Sequence, residues 1–165
     1  MVFVVLLWDS PRCRLGEALE GLPAGRFRLC LPGPGQEIPY PPGRTVAVLS
    51  DQLSGPPPSP PPLPPGCPIL FSGQNPAAAR FAGGTGLAPL DCGLSIRDTL
   101  TLSSLTAGSA VISLQRPVAR LDGALIEPGD IPLALRREWA PFPLLCRAGV
   151  LLLAGGAAAL EPELF

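Results

Sequence analysis

The sequence predicts an α/β fold: a small, mostly parallel Rossmann-like sheet with flanking helices, extended by an antiparallel β-meander. Three observations carry that reading. Val2 to Trp8 is a continuous apolar, β-branched run, the pattern of a strand covered on both faces. Strand and helix patterns then alternate through the first half of the chain. From Asp98 onward the hydrophobic period changes to two, and the connections become hairpin turns.

The elements follow in order. Ser10 suits an N-cap and Pro11 the first helical position, ahead of Leu15, Ala18, Leu19 and Leu22 at helical spacing. Phe27 to Leu31 reads as a second strand and Thr45 to Leu49 as a third. Gly55 to Gly66, GPPPSPPPLPPG, removes backbone donors and fixes φ, so it is expected to be an exposed polyproline II connector. Pro68 to Phe71 gives a fourth strand. Asn75 then caps a helix with Pro76 at its first position, and Ala88 to Cys92 returns as a fifth strand. That order predicts parallel strands joined by a right-handed crossover.

In the second half Leu100 and Leu102 alternate with Thr99, Thr101 and Ser103, and Ile112 and Leu114 with Ser113 and Gln115. Ala107-Gly108 suits the turn between them. Asp122-Gly123 is a two-residue hairpin signal, because such a turn demands positive φ. Pro128-Gly129 fits a type II turn, and Ile131, Leu133 and Leu135 then alternate again. The whole of 1–165 is expected to form one domain, with 98–135 as the meander and 144–165 as an apolar terminal segment.

Composition closes off much chemistry. The 165-residue chain has no His, and all 12 basic residues are Arg. There is thus no Ser-His-Asp or Cys-His pair, no Schiff-base lysine and no phosphate-loop lysine. Net charge is −1 with scattered cations, which argues against nucleic acid. Cys13, Cys30, Cys67, Cys92 and Cys146 are odd in number and widely spaced, so they read as buried thiols rather than a disulfide framework or zinc site. The amino terminus lacks the basic region of a signal peptide. Ala148 to Leu160 is too short to span a bilayer, which takes about 20 residues. A cytoplasmic protein away from membranes is expected.

Two groups of residues are candidates for ligand binding. Ser72, Gly73, Gln74 and Asn75 form a strand-to-helix junction, where free N–H groups can hold an anion and glycine permits close approach. Ser103, Ser104, Gln115 and Arg116 interrupt the apolar alternation and are expected to pair across the hairpin. Cys92 reads as core, because no His is present to ionise it. Asp122 and Asp130 are explained by turns, and Asp91 and Asp98 flank a bend. No catalytic residue, metal ligand or cofactor is assigned.

Ile69 to Leu135, about two-fifths of the chain, resembles the later part of the central domain of Mur ligases, ATP-dependent enzymes that add amino acids to cell-wall precursors. LDCGLS stands where that family has a strand ending in a T-F-G-like or C-G-like turn. DTLTLSS is similar to its D-x-x-x-x-S-S region, and LDG and IEPGD to its β-meander with a late acidic-Pro turn. CGLS, DTLTLSS, ISLQR and IEPGDIP together also resemble short bacterial proteins similar to that fragment. The family's ATP-binding G-T-N-G-K-T/S loop and H-N-type segment are missing, so no catalytic residue carries over. The resemblance implies a scaffold without the ATP machinery. The expected function is a non-catalytic scaffold or protein-interaction domain, with self-association through exposed meander edges. The alternatives are a nucleotide or phosphate binder at Gly73 to Asn75, and an enzyme of unfamiliar type.

Overall fold

The computed structural model describes residues 1–8, 14–33, 40–54, 61–160 and 165. Eight strands form one sheet in the order β10-β7-β6-β5-β4-β3-β1-β2. The parallel half comprises β1 (Val2–Leu7), β2 (Phe27–Cys30), β3 (Thr45–Leu49), β4 (Pro68–Ser72) and β5 (Ala88–Gly93). β6 (Leu100–Leu105) joins it in parallel, and β7 (Ser109–Leu114) and β10 (Gly129–Ala134) complete the other edge in antiparallel pairing. The predicted α/β architecture is the observed one, and the strand runs at 45–49 and 68–71 fall where their patterns placed them.

Each face of the sheet has its own core, as period-two alternation requires. Val4, Leu6, Val46, Val48, Leu70, Leu90, Leu100, Ile112 and Leu114 point to one face, towards helices α1 (Leu15–Glu20) and α3 (Pro141–Gly155). Val5, Leu7, Ala47, Leu49, Ile69 and Phe71 point to the other, towards Ala78 and Ala82 of α2 (Pro76–Gly84). The terminal apolar segment is α3, and residues Pro143 to Leu153 of this helix are all buried. A helix apolar all round must be enclosed all round. The sheet lies on one side. Around the rest pack α1, the short 3-10 turn Ala157–Ala159 and the hairpin of β8 (Val118–Ala119) with β9 (Leu125–Ile126). Gly149 allows the close approach, since a Cβ there would sit 2.5 Å from Leu70 Cδ2.

Arg147 is the charged member of this helix and only 3 % exposed. Its guanidinium donates to the carbonyls of Ala18 and Gly21, satisfying the carboxyl end of α1, which no basic residue of its own caps. It also lies near the rings of Trp139 and Phe165, 5.7 and 5.9 Å from their centroids. Burial, with Arg137 nearby, lowers its pKa to about 10, so it stays charged at neutral pH.

Several details differ from the sequence reading. The Asp122-Gly123 hairpin has a three-residue loop. Arg120 N–H donates to Ala124 C=O and Gly123 N–H to Arg120 C=O, and Gly123 alone takes positive φ, at +85°. Three-residue loops of this kind put glycine in the left-handed position beside a type I turn. The hairpin also forms a separate two-stranded sheet over α3, anchored by Leu121 N–H on Leu153 C=O, so the meander is interrupted. Gly129 opens β10 without positive φ, which excludes the type II turn expected at Pro128-Gly129. α1 begins at Leu15 with Arg14 at its cap position, while the Ser10-Pro11 start, Cys13 and much of the proline-rich connector lie outside the described residues.

Two substitutions test this packing. Leu114→Asp places a carboxylate in the core beneath α3 and is expected to cost about 4 kcal/mol or more, enough to abolish the cooperative melt followed by circular dichroism. Arg147→Met keeps the stem but removes the donors of the buried Ala18 carbonyl and the part-buried Gly21 carbonyl. A loss of about 2–4 kcal/mol in urea denaturation is expected, and an unchanged midpoint would remove the helix-tying role.

Candidate functional site

The carboxyl ends of β3, β4 and β5 meet the amino end of α3 around a cleft of about 250 Å³, lined by Asp51, Ser72, Gln74, Cys92, Leu94 and Phe142 among others. Ligands of open parallel sheets gather at such strand ends. Ser72 and Gln74 of the first candidate group thus face a real concavity. Gly73 and Asn75 are occupied otherwise.

Asn75 caps α2 as its sequence predicts. Its Oδ1 accepts from Ala77 N–H at 3.0 Å and Ala78 N–H at 3.1 Å, and its Nδ2 donates to the carbonyls of Asp51 and Leu53, both at 3.0 Å. The carboxamide therefore ties the β3 exit to the α2 entrance. An anion at this turn would compete with Asn75 for the same N–H groups. The space beside Gly73 belongs to Asp98, whose carboxylate also fills the space beside Gly93. A Cβ at Gly73 would lie 1.9 Å from Asp98 Oδ1, and one at Gly93 2.3 Å from Oδ2. Both glycines are thus explained by an internal carboxylate, which also accepts from Ser95 N–H at 3.0 Å. A phosphate would meet Asp51 in the lining, with Asp98 buried behind Gly73 and Gly93, and among the described residues no cation lines the cleft.

The amino end of α3 is similarly poor in donors. No side chain caps it, and prolines at 141 and 143 remove two of its free N–H groups. Proline geometry preorganises the start of this helix. At the neighbouring β1 end Trp8 takes φ +55°, a strained value for a bulky residue, with its ring edge-on to Phe81 at 4.9 Å. The sequence held no signal for that backbone conformation.

The second candidate group does not converge. Leu100 faces Leu114 and Leu105 faces Ala110, so Ser103 and Ser104 lie at the far end of the hairpin from Gln115 and Arg116. The expected cross-hairpin pairing of these four is corrected by that register, which shifts between Leu102 and Ser104. Ser103 instead meets Ser113 at 2.5 Å, and Ser113 donates to Asp130 at 2.5 Å, a polar rung crossing β6, β7 and β10. Ser104 is exposed. Gln115 Nε2 donates to Thr101 Oγ1 at 3.4 Å, and the Arg116 guanidinium donates to Arg97 C=O. Asp91 accepts from both Thr99 N–H, at 3.1 Å, and Thr99 Oγ1, at 2.5 Å, which pins the return from the β5–β6 loop.

Cys67, Cys92 and Cys146 are buried, Cys30 partly so, and none of the four is in a disulfide. Burial, reinforced by Asp91 and Asp98, pushes the Cys92 thiol well above its usual pKa. Such a thiol is a packed core group rather than a nucleophile. Among the described residues no group of three or more His, Cys, Asp or Glu could hold a metal, and no helix is long and apolar enough to cross a membrane.

Two thiol measurements follow. In native protein Cys92 should label with Ellman's reagent only as fast as the chain opens; labelling at a model-thiol rate would restore it as a nucleophile. Burial raises Cys67 from 9.0 to about 11. Native Cys67 therefore keeps its proton where the unfolded chain has lost it, so its contribution to stability is complete below pH 9 and falls as pH rises towards 11. Melting temperature should drop across that window, and Cys67→Ala should remove part of the slope. No protein-family model matches the chain, nor does any curated protein or solved structure with which it was compared.

Proposed function

We propose that this chain is a non-catalytic scaffold or protein-interaction domain, a Mur-ligase-like core without ATP machinery, working as a reduced, cytoplasmic protein. One observation carries the reading. At the strand ends, where this architecture usually holds its chemistry, Asn75 and Asp98 are engaged with the protein's own backbone. What the same rim displays outward is apolar. Leu94 is 57 % exposed and Ile96 84 %, and Leu94 shares the cleft with Phe142. An exposed apolar rim around a satisfied polar interior fits a contact surface. The meander edge is a poorer one, because β10 carries Pro132, which offers no N–H.

A second reading keeps the cleft as a small-molecule site. Ser72 and Gln74 supply hydrogen-bonding groups, and Asp51 favours a neutral or cationic compound over a nucleotide or phosphate.

Sedimentation velocity and a thermal-shift panel separate the two readings. Concentration-dependent association that Leu94→Glu/Ile96→Glu abolishes, with no shift from nucleotides, phosphates, polyols or amines, is the result expected for the scaffold. A monomer at every concentration that melts higher with one panel compound would transfer the assignment to the cleft; at about 100-fold excess over Kd the gain is about 2.7 kcal/mol.

A further inference from the structure

At the other end of the sheet the short β5–β6 connection leaves a slot. Parallel neighbours normally require a crossover of a dozen or more residues to return to the same starting level. Here only Leu94 to Thr99 intervene, so β6 starts where β5 ends and pairs with Cys92 and Gly93 alone. Ala88 to Asp91 have no strand of the described residues on that side. A cavity of about 530 Å³ lies along them, walled by Ala79 and Gly83 of α2, by Arg116 to Ala119 and by Leu153 of α3. That volume is within the roughly 300–1,000 Å³ of ligand sites, and four extended residues span about 13 Å.

The backbone of this edge specifies its occupant. Ala88 N–H donates to Cys67 C=O, and Cys92 C=O accepts from Gly73 N–H, so residues 88, 90 and 92 turn their peptide groups to β4. Pro89 and Asp91 therefore turn theirs to the slot. Pro89 has a carbonyl and no N–H, while the Cys92–Leu100 register places Leu100 N–H on the Asp91 carbonyl. Left for a guest are one acceptor, Pro89 C=O, and one donor, Asp91 N–H. An antiparallel partner needs both groups of one residue, whereas a parallel partner takes the acceptor from one residue and the donor from two residues on. Only a parallel strand fits, in line with β6.

Such a guest can add no more than its last residue opposite Leu90, because Thr99 and Leu100 occupy the positions beyond. The group facing Asp91 N–H is then a chain-terminal carboxylate. Arg116 lines the cavity, and its guanidinium has donors beyond the one given to Arg97 C=O. The Asp91 carboxylate is in the same lining, with its Oδ1 held by Thr99. We propose that this slot binds the carboxyl terminus of an extended peptide, added in parallel beside β5, with its carboxylate on Asp91 N–H and Arg116. This joins strand addition to terminal-carboxylate capture, and it does not depend on the rim at Leu94 and Ile96.

The test uses the whole chain, labelled with ¹⁵N, and a randomised library of acetylated pentapeptides with free carboxylates, beside the same library amidated. The free library is expected to shift the Asp91 and Val118 amides. Amidation, or Arg116→Gln, should weaken apparent affinity by about tenfold or more. Gly83→Leu puts a side chain into the slot at a helix position where a Cβ meets nothing within 4 Å, so it should block binding while the protein melts no lower. Silent amides, an equal response to both libraries, or binding that survives Gly83→Leu would each overturn the proposal. Should Arg116→Gln misfold, Gly83→Leu and the amidated library decide alone.

Discussion

The enclosure of α3 is the constraint on which the other elements depend. A helix with no polar face has no stable position at a surface, so its neighbours are arranged to cover it: the sheet beneath, α1 beside it, and the β8–β9 hairpin above. The single guanidinium within that apolar body would be costly if left without acceptors. It is placed against the end of α1, a helix of six residues too short to hold itself together and without a basic residue in its last turn. Each partner thereby supplies what the other lacks. Phe165 adds to the same assembly, since its C=O accepts from Trp139 Nε1 at 2.9 Å and from Arg136 N–H at 3.0 Å.

The strand ends show polar groups spent on architecture. Asn75 joins β3 to α2 through four hydrogen bonds, and Asp98 occupies the room made by Gly73 and Gly93. Glycines and a helix start at such a place resemble an anion site in the sequence. In the fold an internal carboxylate, that of Asp98, has taken that room. The economy of the β5–β6 connection has the opposite effect at the other end of the sheet. Saving a crossover leaves Ala88 to Asp91, four of the six residues of β5, without a neighbouring strand among the described residues on one side.

Much of this was legible in the chain itself. The run Val2 to Trp8, the Asn75-Pro76 helix start and the change to period two after Asp98 determined strand, cap and antiparallel edge, because each rests on local sterics or on alternation within a few residues. The same local rules marked Leu114 as core and Gly123 as a residue needing positive φ. Only the tertiary structure decided where polar side chains ended up. Register separates Ser103 and Ser104 from Gln115 and Arg116, and the Asp98 carboxylate reaches Gly73 from 25 positions along the chain. The carbonyls that Arg147 satisfies lie 126 and 129 residues away. Hydrogen-bond partners this distant leave no periodicity to read, because they are chosen by the packing of whole elements. The sequence by itself therefore determined which segments are strand and helix, and the folded packing decided which polar groups remain for a ligand.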